Sequence, residues 1–171
     1  MRGHRRFRGR VARLMERFLG KHLKRIDAKG RVSIPAPFRA VLGRDGFEGL
    51  FAVRSLDLPA IDCGGSRLMA DIDALIGAYE PFSQDHQALS VALLGAGDTL
   101  SLDGEGRIIV PDWIRQAVDI TDEITFVGQG SRFQIWAPAA FEAFEAEARH
   151  RAAALLRSRG GRVVSPAEGR A

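Results

Sequence analysis

The 171-residue sequence has a single cysteine, Cys63, and four histidines, His4, His22, His86 and His150. One thiol closes no internal disulfide and by itself makes no zinc site. No histidine stands at H-E-x-x-H spacing, and there is no C-x-x-C pair, G-x-S-x-G elbow or phosphate-cradling G-x-x-x-x-G-K-[ST] run. The stretch Asp103-Gly-Glu-Gly-Arg107 lacks the twelve-residue ligand loop that calcium takes. Cys63 precedes Gly64-Gly65 and reads as a loop thiol rather than a nucleophile. The expectation is therefore a protein that is not an enzyme, with no cofactor, metal or small-molecule substrate. Long apolar runs are missing too: Val91–Leu94 is four residues and Ile108–Val110 three, whereas a membrane-spanning helix needs about 20. The N-terminus is basic but carries no apolar stretch of the secretory kind. These absences point to a cytoplasmic protein without a membrane partner. With 46% hydrophobic and 27% charged residues, the chain has enough apolar material for a packed core.

What is present is positive charge, unevenly placed. The net charge is +4, yet residues 15–148 hold 13 Lys and Arg against 20 Asp and Glu. The basicity belongs to residues 1–14, with six Arg and no acid, and to residues 149–171, with six Arg and one acid. Met15 offers an alternative start; beginning there leaves 19 basic against 21 acidic residues, so the tail of residues 1–14 is not assumed to be translated. Inside the acidic middle, residues 17–44 hold eight cations and one acid, Asp27. Clustered positive charge of this kind suits a polyanion, although a charge run is also what a solvated face carries.

The sequence repeats itself at an offset of 76. Asp27-Ala-Lys-Gly-Arg-Val-Ser-Ile-Pro-Ala-Pro-Phe-Arg-Ala-Val-Leu42 aligns without gaps on Asp103-Gly-Glu-Gly-Arg-Ile-Ile-Val-Pro-Asp-Trp-Ile-Arg-Gln-Ala-Val118. Asp27/Asp103, Gly30/Gly106, Arg31/Arg107, Pro35/Pro111 and Arg39/Arg115 are identical pairs, and Val32/Ile108, Ile34/Val110 and Phe38/Ile114 are apolar pairs. The chain is a tandem duplication of one small unit. Each copy predicts a strand (His22–Ile26; Thr99–Leu102), an Asp-x-x-Gly turn, a short strand (Val32–Ile34; Ile108–Val110), a stop at proline and a two-turn helix. In the first copy, Phe38, Val41 and Leu42 form the helix's apolar side, Arg39 points away from that side, and Gly43 ends the helix. A strand at Gly49–Val53 pairs with Leu56–Ile61, and Ile124–Val127 pairs with Phe133–Trp136 across a turn at Gly128–Gly130. Helices are expected at Arg67–Tyr79, Gln84–Leu94, 112–118 and Ala137–Arg157, the last with Phe141, Phe144, Ala148 and Leu155 on one side.

About 45 residues per copy is too few for a comfortable core, so the copies are expected to share one barrel-like core. The expected fold class is α+β, mainly β with connecting and C-terminal helices. The expected divisions are a basic tail at 1–14, a first unit at 22–68, a helical connector at 69–96, a second unit at 97–140, and a C-terminal helix and basic tail at 141–171.

Two copies of strand, Asp-x-x-Gly-Arg turn, strand, proline and short helix resemble the MraZ family of bacterial transcriptional regulators, built from tandem SpoVT-AbrB swapped-hairpin units. Phe18-Leu-Gly20, Leu93-Leu-Gly-Ala-Gly97 and Phe126-Val-Gly-Gln-Gly-Ser-Arg-Phe-Gln-Ile-Trp136 extend the resemblance across roughly residues 18–145. It implies sequence-specific binding of double-stranded DNA through the turns Asp27–Arg31 and Asp103–Arg107. It also implies nucleoid association and ring-shaped homo-oligomers reading short direct repeats. The implied target is the promoter of the division and cell-wall gene cluster, including the protein's own gene, and the implied effect on transcription is often repression.

The residues favour one copy. Lys29 and Arg31, with Lys21, Lys24 and Arg25 before them, place cations along a phosphate backbone, and arginine also forks onto guanine O6 and N7. Asp27 and Gly30 order this turn, as Asp103 and Gly106 order the second. The competing reading of Asp27–Arg31 is a purely structural ion pair. The second copy carries Glu105 where the first has Lys29, so Arg107 is assigned mainly a structural role with DNA contact left open. The rival function is an oligomeric, antitoxin-like protein-interaction module without specific DNA binding.

Overall fold

The computed structural model describes residues 16–159. The tail of residues 1–14, Met15 and the basic residues after 159 lie outside the described residues. The chain divides into two compact units, one reaching to Pro138 and one starting at Ala139.

The first unit is α+β. In chain order it contains β1 (Lys21–Arg25), β2 (Arg31–Ser33), α1 (Ala36–Asp45), β3 (Leu50–Arg54), β4 (Ala60–Gly64), α2 (Ser66–Ile76), α3 (Gln84–Ser90), β5 (Asp98–Leu100), β6 (Arg107–Ile109), α4 (Asp112–Val118), β7 (Glu123–Gly128) and β8 (Phe133–Trp136). A π-helical turn, Val91–Gly95, follows α3. All strand pairs are antiparallel, and the two copies of the repeat exchange strands. The larger sheet runs β1-β7-β8-β4-β3-β5, and β2 and β6 form a separate ribbon. Thus β1 of the first copy pairs with β7 of the second, β5 of the second with β3 of the first, and β4 with β8 at the centre. The sheet is open, with β1 and β5 at its ends. What the copies share is a core rather than a closed barrel of strands. That core takes Val32, Ile34, Phe38 and Leu50 from the first copy, and Ile108, Ile114, Phe126 and Phe133 from the second. Phe38 is fully buried at its centre, with ring centroids 5.4 Å from Phe18 and 5.1 Å from Phe133. A smaller cluster, including Phe51, Leu68, Ile72 and Leu93, lies under α2.

Local chemistry explains most boundaries and corrects some expectations. Gly43 does not end α1: the helix runs to Asp45, and Gly46 at φ +72° terminates it, because the left-handed step that releases a helix falls at that glycine. The hairpin partner of β3 is Ala60–Gly64 rather than Leu56–Ile61; Pro59 donates no ladder hydrogen bond, so the strand starts after it. The β7–β8 turn lies at residues 129–132, closed by the Gln129 N–H donating to the Arg132 carbonyl at 2.9 Å, and Gly128 belongs to β7. Cys63 is not in a loop: it sits in β4, fully buried. Burial, and secondarily the charge of Asp62, push its thiol well above its ordinary pKa, the setting of an inert core cysteine.

The described part of the second unit is helix α5, which spans Pro138–Arg159 and is opened by the proline that ends the first unit. Its expected apolar side is buried only at the start: Phe141 is buried, and Leu155 is exposed.

Candidate nucleic-acid interface

The ribbon decides where the repeated turns go. Arg31 lies opposite Ile109, Val32 opposite Ile108, and Ser33 opposite Arg107. Side chains alternate across a strand, so buried Val32 and Ile108 mark the inner face. Arg31, Ser33, Arg107 and Ile109 share the outer one, where Ile109 is 68% exposed. Arg31 and Arg107 are diagonal neighbours there, a relation that places Cβ atoms about 7–8 Å apart. The exchange of strands thus brings both motif arginines onto one face, related by the internal symmetry of the duplication.

Each arginine is held by its own turn. The Asp27 Oδ1 accepts from the backbone N–H groups of Lys29 and Arg31, both at 2.9 Å, and its Oδ2 accepts from Arg31 Nε at 2.8 Å. Asp103 does the same for Glu105 and Arg107, at the same distances. These bonds favour the ionised carboxylate. The Arg31 N–H is the largest cause holding the Asp27 carboxyl below its ordinary pKa, followed by the Arg31 guanidinium and the Lys29 N–H. The Arg107 N–H, Arg107 guanidinium and Glu105 N–H act likewise on Asp103. Gly30 and Gly106 take φ of +78° and +74°, a region that side chains with Cβ resist. The aspartate bond uses Nε of each guanidinium and leaves its terminal nitrogens out of that bond.

The two turns differ in what surrounds that fork. Arg107 Nη2 also pairs with Glu105 at 2.8 Å, and Glu105 is 72% exposed. The Asp103 hydrogen bond, and then the charges of Asp103, Glu105 and Asp27, raise the Arg107 pKa. At the position matching Glu105 the first turn presents exposed Lys29. The remaining sequence-predicted cations lie on β1, at an end of the large sheet. Lys21 and Arg25 are exposed and Lys24 is half-buried. Arg25 meets Glu123 at 3.6 Å between exposed side chains, a geometry worth little.

Sequence reasoning missed a second pair of arginines. Arg39, expected off the helix's apolar side, has a partner that was not foreseen: its Nη1 donates to the Glu105 carbonyl of the other copy's turn at 2.9 Å. A Cβ at Gly106 would run into the Arg39 side chain. Arg115 lies over Gly30 in the same way, 3.4 Å from where a Cβ would stand, and donates to the Thr121 carbonyl at 3.1 Å. The signal was the identity of Arg39 and Arg115 within the repeat. Also unforeseen is a polar network in the β4–β8 region. Asp62 accepts from Arg132 and Gln134, and fully buried Gln134 accepts from Gln129 and Trp136.

This geometry defines a class: an α+β protein made from a duplicated unit whose halves exchange strands and present two aspartate-held arginines on one β-ribbon. The family described as "MraZ protein, putative antitoxin-like" matches residues 93–158. A "Transcriptional regulator MraZ" of Beijerinckia indica is 48% identical over 152 residues, covering 89% of this chain and 93% of that one. One of Xanthobacter autotrophicus is 47% identical, covering 89% and 97% respectively. One of Rhizobium meliloti is 44% identical over 135 residues, covering 79% and 92%. The chain belongs to the MraZ family.

Proposed function

We propose that this chain is a transcriptional regulator that binds duplex DNA with the outer face of the β2–β6 ribbon. The observation that carries the reading is the placement of Arg31 and Arg107 on that one face, each fixed through Nε by an aspartate. A two-stranded ribbon fits the major groove. A spacing of about 7–8 Å corresponds to roughly two base steps of about 3.4 Å each. Fixing the fork beforehand lowers the ordering cost when it meets a guanine edge. Lys29, Lys21, Lys24 and Arg25 add phosphate contacts, which set affinity and not sequence. Arg31 dominates, because Glu105 occupies the second fork and repels phosphate. The names of the relatives support the regulatory part of this reading.

The specific form we propose is repression from short direct repeats upstream of the division and cell-wall genes, including the protein's own, by a ring-shaped homo-oligomer in the nucleoid. One ribbon binds weakly; several on one assembly turn later contacts into intramolecular ones. The expected observation is tight binding to the chain's own upstream region and weaker binding to a random duplex of equal length. The log–log salt slope should be near −0.9 per phosphate neutralised. Equal affinity for both duplexes contradicts sequence reading. Absence of binding moves the weight to the protein-interaction module, for which the net acidity of residues 15–148 and the antitoxin-like family description speak.

A further inference from the structure

The outer face of the β2–β6 ribbon carries one large apolar side chain among its cations. Ile109 is 68% exposed and lies directly opposite Arg31. The Ile34 N–H donates to the Gly106 carbonyl, and the Val110 N–H to the Gly30 carbonyl. Ladder bonds alternate along an antiparallel pair, so Arg31 and Ile109 form a non-hydrogen-bonded pair. Such pairs bring side chains closest, with Cβ atoms about 4.5–5.5 Å apart. The position matching Ile109 in the first copy is Ser33, which lies opposite Arg107. The ribbon therefore has two unlike ends on one face: Arg31 with Ile109, and Arg107 with Ser33. A lone exposed isoleucine is ordinary on a protein surface. What distinguishes this one is a β-branched, rotationally stiff side chain standing beside an arginine that its aspartate holds in place.

We propose that Ile109 reads the C5-methyl of a thymine on the base pair next to the guanine taken by Arg31. The inference rests on the ribbon reading above and adds to it a specificity-determining residue. In the major groove the thymine methyl is the apolar element of the base-edge pattern, and an apolar side chain recognises it. A G·C pair carries no such methyl. The methyl therefore belongs to a neighbouring pair, about 3.4 Å along the axis, within the spread of the Arg31–Ile109 pair. Ser33, small and half-buried, offers no comparable apolar surface at the other end. The ribbon then prefers a guanine with an adjacent thymine at its Arg31 end and demands less at its Arg107 end. A protein partner fits this face poorly. It would bury Arg31 and Arg107 along with Ile109, and desolvating two ion pairs costs more than burying one isoleucine contributes. Duplex DNA supplies acceptors for the arginines and a methyl for Ile109 together.

The test removes the methyl from the DNA and the side chain from the protein in turn. Each thymine of the chain's own upstream duplex is replaced singly by deoxyuridine, which keeps the base pair and lacks only the methyl. Affinity is read by anisotropy for the full unsubstituted chain, Ile109→Ala and Ile109→Ser. Serine already stands at the matched position, so the ribbon accommodates the second variant. Removing the methyl of one thymine in a bound repeat is expected to weaken the unsubstituted chain about fourfold, the worth of one buried methyl group. The same replacement should change nothing for either variant. A thymine scan without effect, or variants that weaken thymine and deoxyuridine duplexes equally, overturn the methyl contact; in the second case Ile109 only supports the Arg31 stem. Arg31→Ala separates this inference from the ribbon reading. Loss of upstream binding with Arg31→Ala, but no methyl coupling at Ile109, sinks this inference alone. Binding indifferent to Arg31→Ala sinks both.

Discussion

Arg31 and Arg107 occupy matched positions with matched aspartates, yet their outer nitrogens meet opposite charges. Glu105 at 2.8 Å from Arg107 has exposed Lys29 as its counterpart. Lys29→Ala is expected to weaken specific and random duplexes alike and to flatten the salt slope by about 0.9; anisotropy titrations at several salt concentrations check this. Glu105→Lys is expected to strengthen both and steepen the slope by a similar amount. The aspartates carry a pH dependence whose sign follows from their depressed pKa values. Their stabilisation of the turns is complete above the ordinary carboxylate value of 3.8 and is lost as pH falls through the lower folded values. Acid unfolding of Asp27→Asn should therefore begin from lower stability near neutral pH but show a shallower loss below pH about 4. The turns were legible in the sequence because every bond made by the Asp27 and Asp103 carboxylates spans four residues or fewer. Arg39 was not, because its acceptor at Glu105 is 66 positions away. Cys63 was misread because the neighbouring glycines suggested a loop, whereas Gly64 is the last residue of strand β4.

At the scale of elements, composition located most helices and strands but not their partners. Pro35, Pro111 and Gly46 mark real helix boundaries, and the apolar pairs of the repeat are the buried residues of both copies. Strand exchange was not legible from pattern alone, because a short alternating strand specifies a face, not a neighbour. Only the duplicated motif hinted that the copies complete each other. This exchange makes the two turn glycines unequal. Both need positive φ, but only Gly106 sits hard against Arg39. Gly106→Ala is expected to cost about 1–3 kcal/mol and more than Gly30→Ala, with urea midpoints as the measurement. Equal losses contradict the cross-copy packing.

At the scale of the whole molecule, one core serves both copies, so damage in one is felt by the other. Phe38→Ala removes a fully buried ring between Phe18 and Phe133. It is expected to cost about 3–5 kcal/mol, with the near-ultraviolet signal of the second copy's Trp136 and the far-ultraviolet signal lost in one coincident transition. The tail of residues 1–14 is expected to raise affinity without regard to sequence, which comparison of 1–171 with 15–171 on random duplex checks. The central claim is that the ribbon reads DNA chiefly through Arg31. It is tested most directly by titrating the upstream region with the unsubstituted chain, Arg31→Ala and Arg107→Ala at one salt concentration. Oligomeric state is recorded alongside. The account predicts a loss of about 1–3 kcal/mol per ribbon for Arg31→Ala, a smaller loss for Arg107→Ala, and unchanged assembly in both. Equal losses would make the two turns equal readers, and unaltered binding by Arg31→Ala would contradict the account.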